Sequence, residues 1–264
     1  MKSTKLNPKQ QEAVSHGSGP LLIAAGAGSG KTHTLTNRLQ HLINNLKIPP
    51  ENILAITFTN KAAEEMKKRV YAGQLSNVKG QMSFIGTFHS FGAKILRENC
   101  RYLHRNHKFT IFDEDDSLAL CRQVCRSHNL DKDKYNPIDL AGQISEFKNE
   151  LIKPDPNTVE GKIFYDYETA LQKNNGFDFD DLIEKPIKLL QEKESILKKY
   201  HEKYQYILID EYQDVNAAQY QLVKLLAGKK ANLSVVGDDQ QAIYGWRGAD
   251  FRNFLNFDKD WPEA

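Results

Sequence analysis

Cysteine is scarce in these 264 residues, and the three present, Cys100, Cys121 and Cys125, are an odd number without metal-type spacing or accompanying ligands. A disulfide framework is excluded, and a reduced, cytoplasmic protein is the expectation. Long apolar runs are also missing. Nothing approaches the roughly 18–20 consecutive apolar residues of a membrane-spanning helix, and the start Met1-Lys2-Ser3-Thr4-Lys5-Leu6 lacks the apolar core of a signal peptide. No membrane partner is expected. Nor is there an excess of charge of one sign: 36 Lys and Arg stand against 34 Asp and Glu, a formal net charge of +2. Any basic track for nucleic acid must be local. Residues 97–108, with three Arg, one Lys and two His, are one candidate, and a solvated helix face is the equal alternative. What remains, 40% hydrophobic and 27% charged residues, suits one large globular domain or two modest ones.

The most informative run is Ala24-Ala25-Gly26-Ala27-Gly28-Ser29-Gly30-Lys31-Thr32. It follows the apolar Leu21-Leu22-Ile23 and precedes apolar residues at helical spacing, the strand–loop–helix context of a phosphate-binding loop. A turn that wraps phosphates needs residues free of Cβ hindrance whose N–H groups converge on the anion. The helix N-terminus beyond it adds a favourable dipole. Lys31 supplies a mobile charge for the β- and γ-phosphates, and Thr32 a hydroxyl for Mg²⁺. Ala25 stands where the general pattern has its first glycine, which is tolerable if its φ is negative. A bound nucleoside triphosphate is expected.

Four further apolar runs end in polar residues: 53–58 into Thr59, 82–86 into Thr87 and His89, 206–209 into Asp210 and Glu211, and 233–236 into Gly237, Asp238, Gln240 and Gln241. Helical periodicity follows most of them, as at 62–70 and 217–226. Strands alternating with helices predict an α/β fold with a parallel sheet, its site at the carboxyl ends of the strands. Asp210 at a buried strand end can hold Mg²⁺, and the adjacent Glu211 can act as general base on water. Two consecutive carboxylates favour phosphoryl transfer to water over a metabolic kinase. Gln241 would report the γ-phosphate through its amide. Between about 102 and 192 the pattern changes: helix-like segments at 117–126, 138–149 and 161–171 and no buried-strand run predict a mainly helical insertion.

These residues resemble the superfamily 1 DNA helicases of the UvrD/Rep/PcrA type. Leu6-Asn7-Pro8-Lys9-Gln10 is similar to that family's Q motif, and the loop to its motif I, including an alanine at Ala25. Phe58-Thr59-Asn60-Lys61 is similar to motif Ia, and Gly86-Thr87-Phe88-His89-Ser90 to motif Ib. Asp178-Phe179-Asp180-Asp181-Leu182 matches a segment late in the helical subdomain. Asp210-Glu211-Tyr212-Gln213-Asp214 is similar to motif II, and Gly237-Asp238 with 241–249 to motif III. The order and spacing run over essentially the whole chain.

The resemblance implies a RecA-like ATPase domain at 1–103 and 193–264, with a helical insertion at 104–192. It implies ATP and Mg²⁺ as cofactors. Gln10 would bind adenine, with Ala25, Gly26, Ala27, Gly28, Ser29, Gly30, Lys31, Thr32 and His33 along the nucleotide. Thr32 and Asp210 would hold the metal. Glu211, Lys31, Gln241 and Arg247 would be catalytic, Arg247 linking motif III to the γ-phosphate or to DNA. Phe58, Phe179, Tyr244 and Trp246 would form a single-stranded DNA track, with Thr59, Thr87 and His89 near the backbone. For the aromatics core packing is the alternative, and for Arg247 a plain surface position. His33 stands where several relatives carry Arg, and Gln240 where an acidic residue is common.

The family's motifs IV to VI do not occur before Ala264, so the expectation is the N-terminal half of a 3′→5′ DNA helicase acting on single strands and single/double-strand junctions. Hydrolysis would need the C-terminal half. The alternatives are the motor of a helicase–nuclease subunit and an ATP-regulated DNA-binding module.

Overall fold

A computed structural model describes residues 5–71, 83–130, 134–228, 232–238 and 252–264. Gln240, Gln241, Tyr244, Trp246 and Arg247 lie outside them. The chain divides into two compact units, one of Met1–Phe88, Glu194–Asn216 and Val223–Ala264, the other of His89–Lys193 and Ala217–Leu222. The strands are β1 (Leu21–Ala24), β2 (Ile53–Thr57), β3 (Phe84–Thr87), β4 (Thr110–Phe112), β5 (Gly176–Asp178), β6 (Tyr206–Ile209) and β7 (Asn232–Gly237).

In the first unit five strands form a parallel sheet in the order β1-β7-β6-β2-β3. Side chains alternate between the two faces of a strand. Ile53 and Ala55 of β2 join Leu208 and Val236 in one core cluster, yet Leu54 and Ile56 between them are equally buried. The sheet is therefore covered on both faces, as parallel sheets are. Helix α1 (Pro8–Ser15) precedes β1, α2 (Lys31–Asn44) follows it, and α3 (Asn60–Tyr71) follows β2. Leu35, Leu39, Leu42 and Ile43 make the apolar stripe of α2, and Met66 and Val70 that of α3.

One buried cation ties these layers together. Arg38 of α2 has no exposed surface. It donates from Nε to Ser234 Oγ of β7 at 2.8 Å and from Nη1 to the carbonyls of Ala13 and His16 at 3.2 and 2.6 Å. Those carbonyls end α1 and have no partner within the helix. Burial lowers the guanidinium to about 10, and it stays charged at neutral pH.

The second unit is built on α4 (Phe88–Asn99), α5 (Glu114–Ser127), α6 (Pro137–Asn149), α7 (Val159–Lys173) and α8 (Asp181–Glu192). Leu120, Val124, Leu140, Ile144, Ile163 and Leu171 pack with Cys121 and Cys125 at the centre of the α5–α7 cluster. Burial pushes the Cys121 thiol up to about 12, so it is packing rather than a nucleophile. Side-chain caps from Asp113, Asn136 and Thr158 start α5, α6 and α7 a few residues before the periodic pattern begins.

This mainly helical region also holds two short strands that no apolar run announces. β4 and β5 pair in parallel, Thr110 opposite Gly176 and Phe112 opposite Asp178. Each has three residues, and Gly-Phe-Asp is no apolar run; the pairing is set by tertiary packing, with Phe112 so close that a Cβ on Gly176 would lie 2.7 Å from its ring. The basic stretch 97–108 largely serves the same sheet. Arg97 lies 3.7 Å above the Phe109 ring and donates to the carbonyls of His107 and Phe109. Arg105 lies over Phe177 and donates to the Gly176 carbonyl. Among the described residues no helix is long and apolar enough to cross a membrane.

Candidate functional site

The glycine loop leaves β1 with the Ala25 N–H donated to the Gly237 carbonyl of β7 at 2.9 Å. Within it positive φ is confined to Gly28 (70°) and Gly30 (85°), so Ala25 carries no left-handed strain. Gly30 is the N-cap of α2 and supplies no side-chain cap. The N-cap thus places no side chain of its own over the first N–H groups of α2, which suits an anion. Gly26, Ala27, Gly28 and Ser29 are exposed. Gln10 reaches this loop from α1. Its Oε1 accepts the Asn7 N–H at 2.8 Å in a capping box, and its Nε2 donates to the Ser29 carbonyl at 2.9 Å. His33, half-buried in the first turn of α2, has Asn37 Nδ2 at 2.8 Å from its carbonyl.

β1, β7 and β6 are neighbours in the sheet, so their carboxyl ends bring three groups together. Lys31 is 8% exposed, with Nζ at 3.4 Å from Asp238 Oδ2 and 3.9 Å from Glu211 Oε2. Asp210 is buried; it accepts the Thr32 hydroxyl, and its Oδ1 accepts the Glu211 N–H at 3.1 Å. Burial, with the Glu211 charge acting the same way, pushes its carboxyl up to about 6 against the opposing Thr32 hydrogen bond. Burial and Glu211 push Asp214 up to about 6 as well, and its buried Oδ1 has no hydrogen-bond partner. The sequence places Asp238, Gln213 and Asp214 within these strand-end runs but assigns them no role. Asp238 carried a usable signal: it follows β7 as Asp210 follows β6. Gln213 carried none.

These groups fit Mg²⁺ and a triphosphate. The described residues hold no cluster of three His, Cys, Asp or Glu, and Mg²⁺ does not need one. It takes one or two protein oxygens and keeps water and phosphate oxygens for the rest. Thr32 and Asp210 already place a hydroxyl and a carboxylate in contact. The raised Asp210 carboxyl marks a position short of positive charge.

The residues expected to meet DNA fall in both units. In the first, Phe58 is half-buried just after β2. Thr59 is exposed, and its Oγ1 accepts the Ala62 N–H at 3.1 Å, capping α3. Thr87, half-buried, ends β3 opposite Thr57. In the second, His89 and Phe179 stack with ring centroids 3.9 Å apart and planes at 22°. Phe179 is 53% exposed. Burial lowers the His89 imidazole to about 4, so at neutral pH it is an uncharged ring.

Under Phe179 lies a buried charge cluster with no sequence signal. Lys148, fully buried, sits 2.6 Å from Asp178 Oδ2, 2.8 Å from Asp181 Oδ1 and 2.7 Å from Glu168 Oε1. Tyr167 OH donates to Asp178 Oδ2 at 3.0 Å, and Lys185 pairs with Glu168, Glu184 and Asp181. The Asp181 N–H donates to Asp178 Oδ1 at 2.8 Å and the Asp178 N–H to Asp181 Oδ2 at 3.2 Å, closing a tight turn around Phe179. The buried anchors leave the aromatic ring as the exposed part of that turn.

Comparison with known proteins gives a consistent picture. The family model of the UvrD/REP helicase N-terminal domain matches residues 6–262. The chain is 46% identical over 268 aligned residues to proteins named ATP-dependent DNA helicase PcrA from Staphylococcus epidermidis and Staphylococcus aureus. The match covers 98% of this chain and 36% of theirs, so it spans about 36% of the length of the curated relatives it matches.

Proposed function

The chain belongs to the UvrD/REP helicase family, and from that premise we propose that it is the first motor domain of an ATP-dependent DNA helicase that binds ATP–Mg²⁺ and single-stranded DNA. The observation that carries this reading is the meeting of Lys31, Asp238 and Glu211 beside the Thr32–Asp210 pair, at the ends of three neighbouring strands. In this reading 1–103 and 193–264 make the RecA-like domain and 104–192 its helical insertion.

Lys31 is held by carboxylates until a triphosphate arrives and then turns to the β- and γ-phosphates, cradled by the N–H groups of residues 26–32. Thr32 and Asp210 would hold Mg²⁺, which would supply positive charge against the phosphate oxygens. Glu211 takes a proton from the attacking water as its oxygen bonds to the γ-phosphorus; the bond to the bridging oxygen breaks and ADP leaves. Gln10 carries a donor and an acceptor to the loop, the pair needed to read an adenine edge. Gln241 and Arg247 complete the γ-phosphate side. Arginines from the second RecA-like half close the opposite wall, a contribution of about 10³–10⁵ in rate in P-loop enzymes.

On the DNA side Phe58, Phe179, Tyr244 and Trp246 stack on bases without reading sequence, and Thr59 and Thr87 lie near the backbone. His89, uncharged and stacked on Phe179, adds an aromatic face beside that ring instead of supplying a cation. Opening and closing of two RecA-like halves on ATP would step the protein 3′→5′ toward a single/double-strand junction. DNA repair and replication are the processes such a motor serves, in the cytoplasm.

The test is ATP hydrolysis and strand separation by the full-length gene product, on duplexes with a 3′ or a 5′ tail. DNA-stimulated hydrolysis with unwinding from the 3′ tail is expected. Residues 1–264 alone should bind nucleotide and turn over little. Absence of DNA-stimulated hydrolysis in the full-length protein refutes the reading, and robust turnover by 1–264 refutes the need for a second half.

A further inference from the structure

Gln213 lies on a single helical turn, Tyr212–Asp214, directly after the two consecutive carboxylates, and is 2% exposed. Every polar handle of its amide is used. Nε2 donates to Glu211 Oε2 at 2.9 Å and to Asp214 Oδ2 at 3.3 Å, while Oε1 accepts the Asp238 N–H at 3.0 Å. An amide suits this place as no other side chain of its size does. Its donors face two carboxylates and its acceptor faces a backbone N–H. Glutamate would put a third carboxylate among the first two, and an apolar residue would take this partner from the Asp238 N–H and from both carboxylates.

Two further features point to the same residue. Glu211 has φ of 51°, a left-handed conformation that side-chain-bearing residues seldom adopt and that persists only where the surroundings over-determine it. Gly237, at the end of β7, keeps the space above Gln213 clear: a Cβ there would lie 2.6 Å from Gln213 Oε1 and 2.7 Å from the Phe254 ring. The strand end is bare where the amide crosses it.

We propose that Gln213 is a positioning residue for hydrolysis, fixing the Glu211 carboxylate relative to the end of β7, where Asp238 holds Lys31. It rests on the reading of Glu211 as the base that activates water. Lys31 meets both Asp238 and Glu211, and Gln213 joins those two from the other side. The phosphate-binding cation and the water-activating base therefore share one frame, and the amide is the strut that closes it.

Single-turnover ATP hydrolysis by the full-length gene product on single-stranded DNA tests this with Gln213→Met, which keeps the volume and removes the hydrogen bonds. The rate is expected to fall by about 10- to 100-fold, the scale of a misplaced catalytic group, with ATP affinity changed by less than about 3-fold. Because Gln213 acts through Glu211, the same change in a Glu211→Gln background should alter the residual rate by less than about 2-fold. Gly237→Ala, whose methyl presses on Gln213 Oε1, should reproduce the loss and keeps the test open if Gln213→Met fails to fold. A Gln213→Met or Gly237→Ala protein as fast as wild type overturns the proposal. So does an equal loss in both Glu211 backgrounds, the mark of a merely structural role. Hydrolysis undiminished by Glu211→Gln overturns the reading of Glu211 itself, a separate result.

Discussion

Replacing Lys148 with methionine would remove the cation at the centre of the cluster beneath Phe179. Asp178, Asp181 and Glu168, at 2.6, 2.8 and 2.7 Å from its Nζ, would remain. The cluster is already short of positive charge: burial, with Asp178 acting the same way, pushes the Asp181 carboxyl up to about 6. Burial alone would lower Lys148, but Asp181, Asp178 and Glu168 outweigh it and hold the ammonium well above its ordinary range. Deleting one partner of a buried ion pair costs about 3–5 kcal/mol. At about 4 °C per kcal/mol for a unit of this size, its melting temperature should fall by roughly 12–20 °C at pH 7.5.

The pH dependence carries a definite sign. Without Lys148 the buried carboxylates are more easily protonated folded than unfolded, so they contribute stability below their unfolded pKa that is lost as pH rises. The gap between variant and wild type should therefore narrow from pH 7.5 to pH 5. The wild type has an opposite contribution from Glu168, which burial would raise but which Lys148 and Lys185 hold down at about 2. That contribution is present above the unfolded value and lost as pH falls through 2. Thermal unfolding followed by circular dichroism at both pH values checks this. A fall of less than about 5 °C, or a gap that widens toward pH 5, would refute the reasoning.

Asp210→Asn should stabilise the protein free of nucleotide above pH 6. A carboxyl raised from 3.8 to about 6 favours folding below 3.8 and loses that contribution as pH rises through 6, as much as about 3 kcal/mol. A melting temperature at pH 7.5 unchanged or lower in the variant would contradict this. Phe179→Ala should weaken single-stranded DNA binding by about 1–3 kcal/mol with little effect on melting, because the ring is 53% exposed; unchanged DNA affinity in a fluorescence titration would contradict it. Gly92→Ala should cost more than about 3 kcal/mol, beyond ordinary overpacking. The new Cβ would fall 1.6 Å from the Leu182 carbonyl oxygen, a backbone atom that cannot rotate away. Urea unfolding with an unchanged midpoint would contradict that.

The sheet and the loop were legible in the sequence because their signals are local. Leu21-Leu22-Ile23 ahead of Gly28 and Gly30, and Tyr206-Ile207-Leu208-Ile209 ahead of Asp210, pair an apolar period with a polar end, and each became a strand with its polar residues at the tip. What escaped depends on distant partners. Gly176 and Phe177 become strand only because residues 110–112 come alongside. Lys148 reads as a solvated helix lysine until Asp178 and Asp181 arrive from 30 and 33 residues away. Gln213 looks like a polar turn residue, since its acceptor meets Asp238 only through the adjacency of β6 and β7. Arg97 and Arg105 looked free for phosphate, but their guanidinium planes are spent on Phe109 and Phe177.

The sheet order also fixes a timetable. Among the described residues β1 sits at the sheet edge and pairs only with β7, and the contact between Gly19 and Asn232 spans 213 residues. At about 5–20 residues per second of synthesis, the strand that launches the glycine loop waits on the order of 10–40 s on the ribosome for its sole neighbour. Arg38 waits equally long for Ser234. The helices of 114–173, which pack into one cluster with each other and meet only β4, β5 and α8 of the same unit among the larger contacts, can settle meanwhile. A nascent chain stalled before residue 232 would thus carry a folded second unit and an unformed nucleotide site, with an apolar strand left open to chaperones.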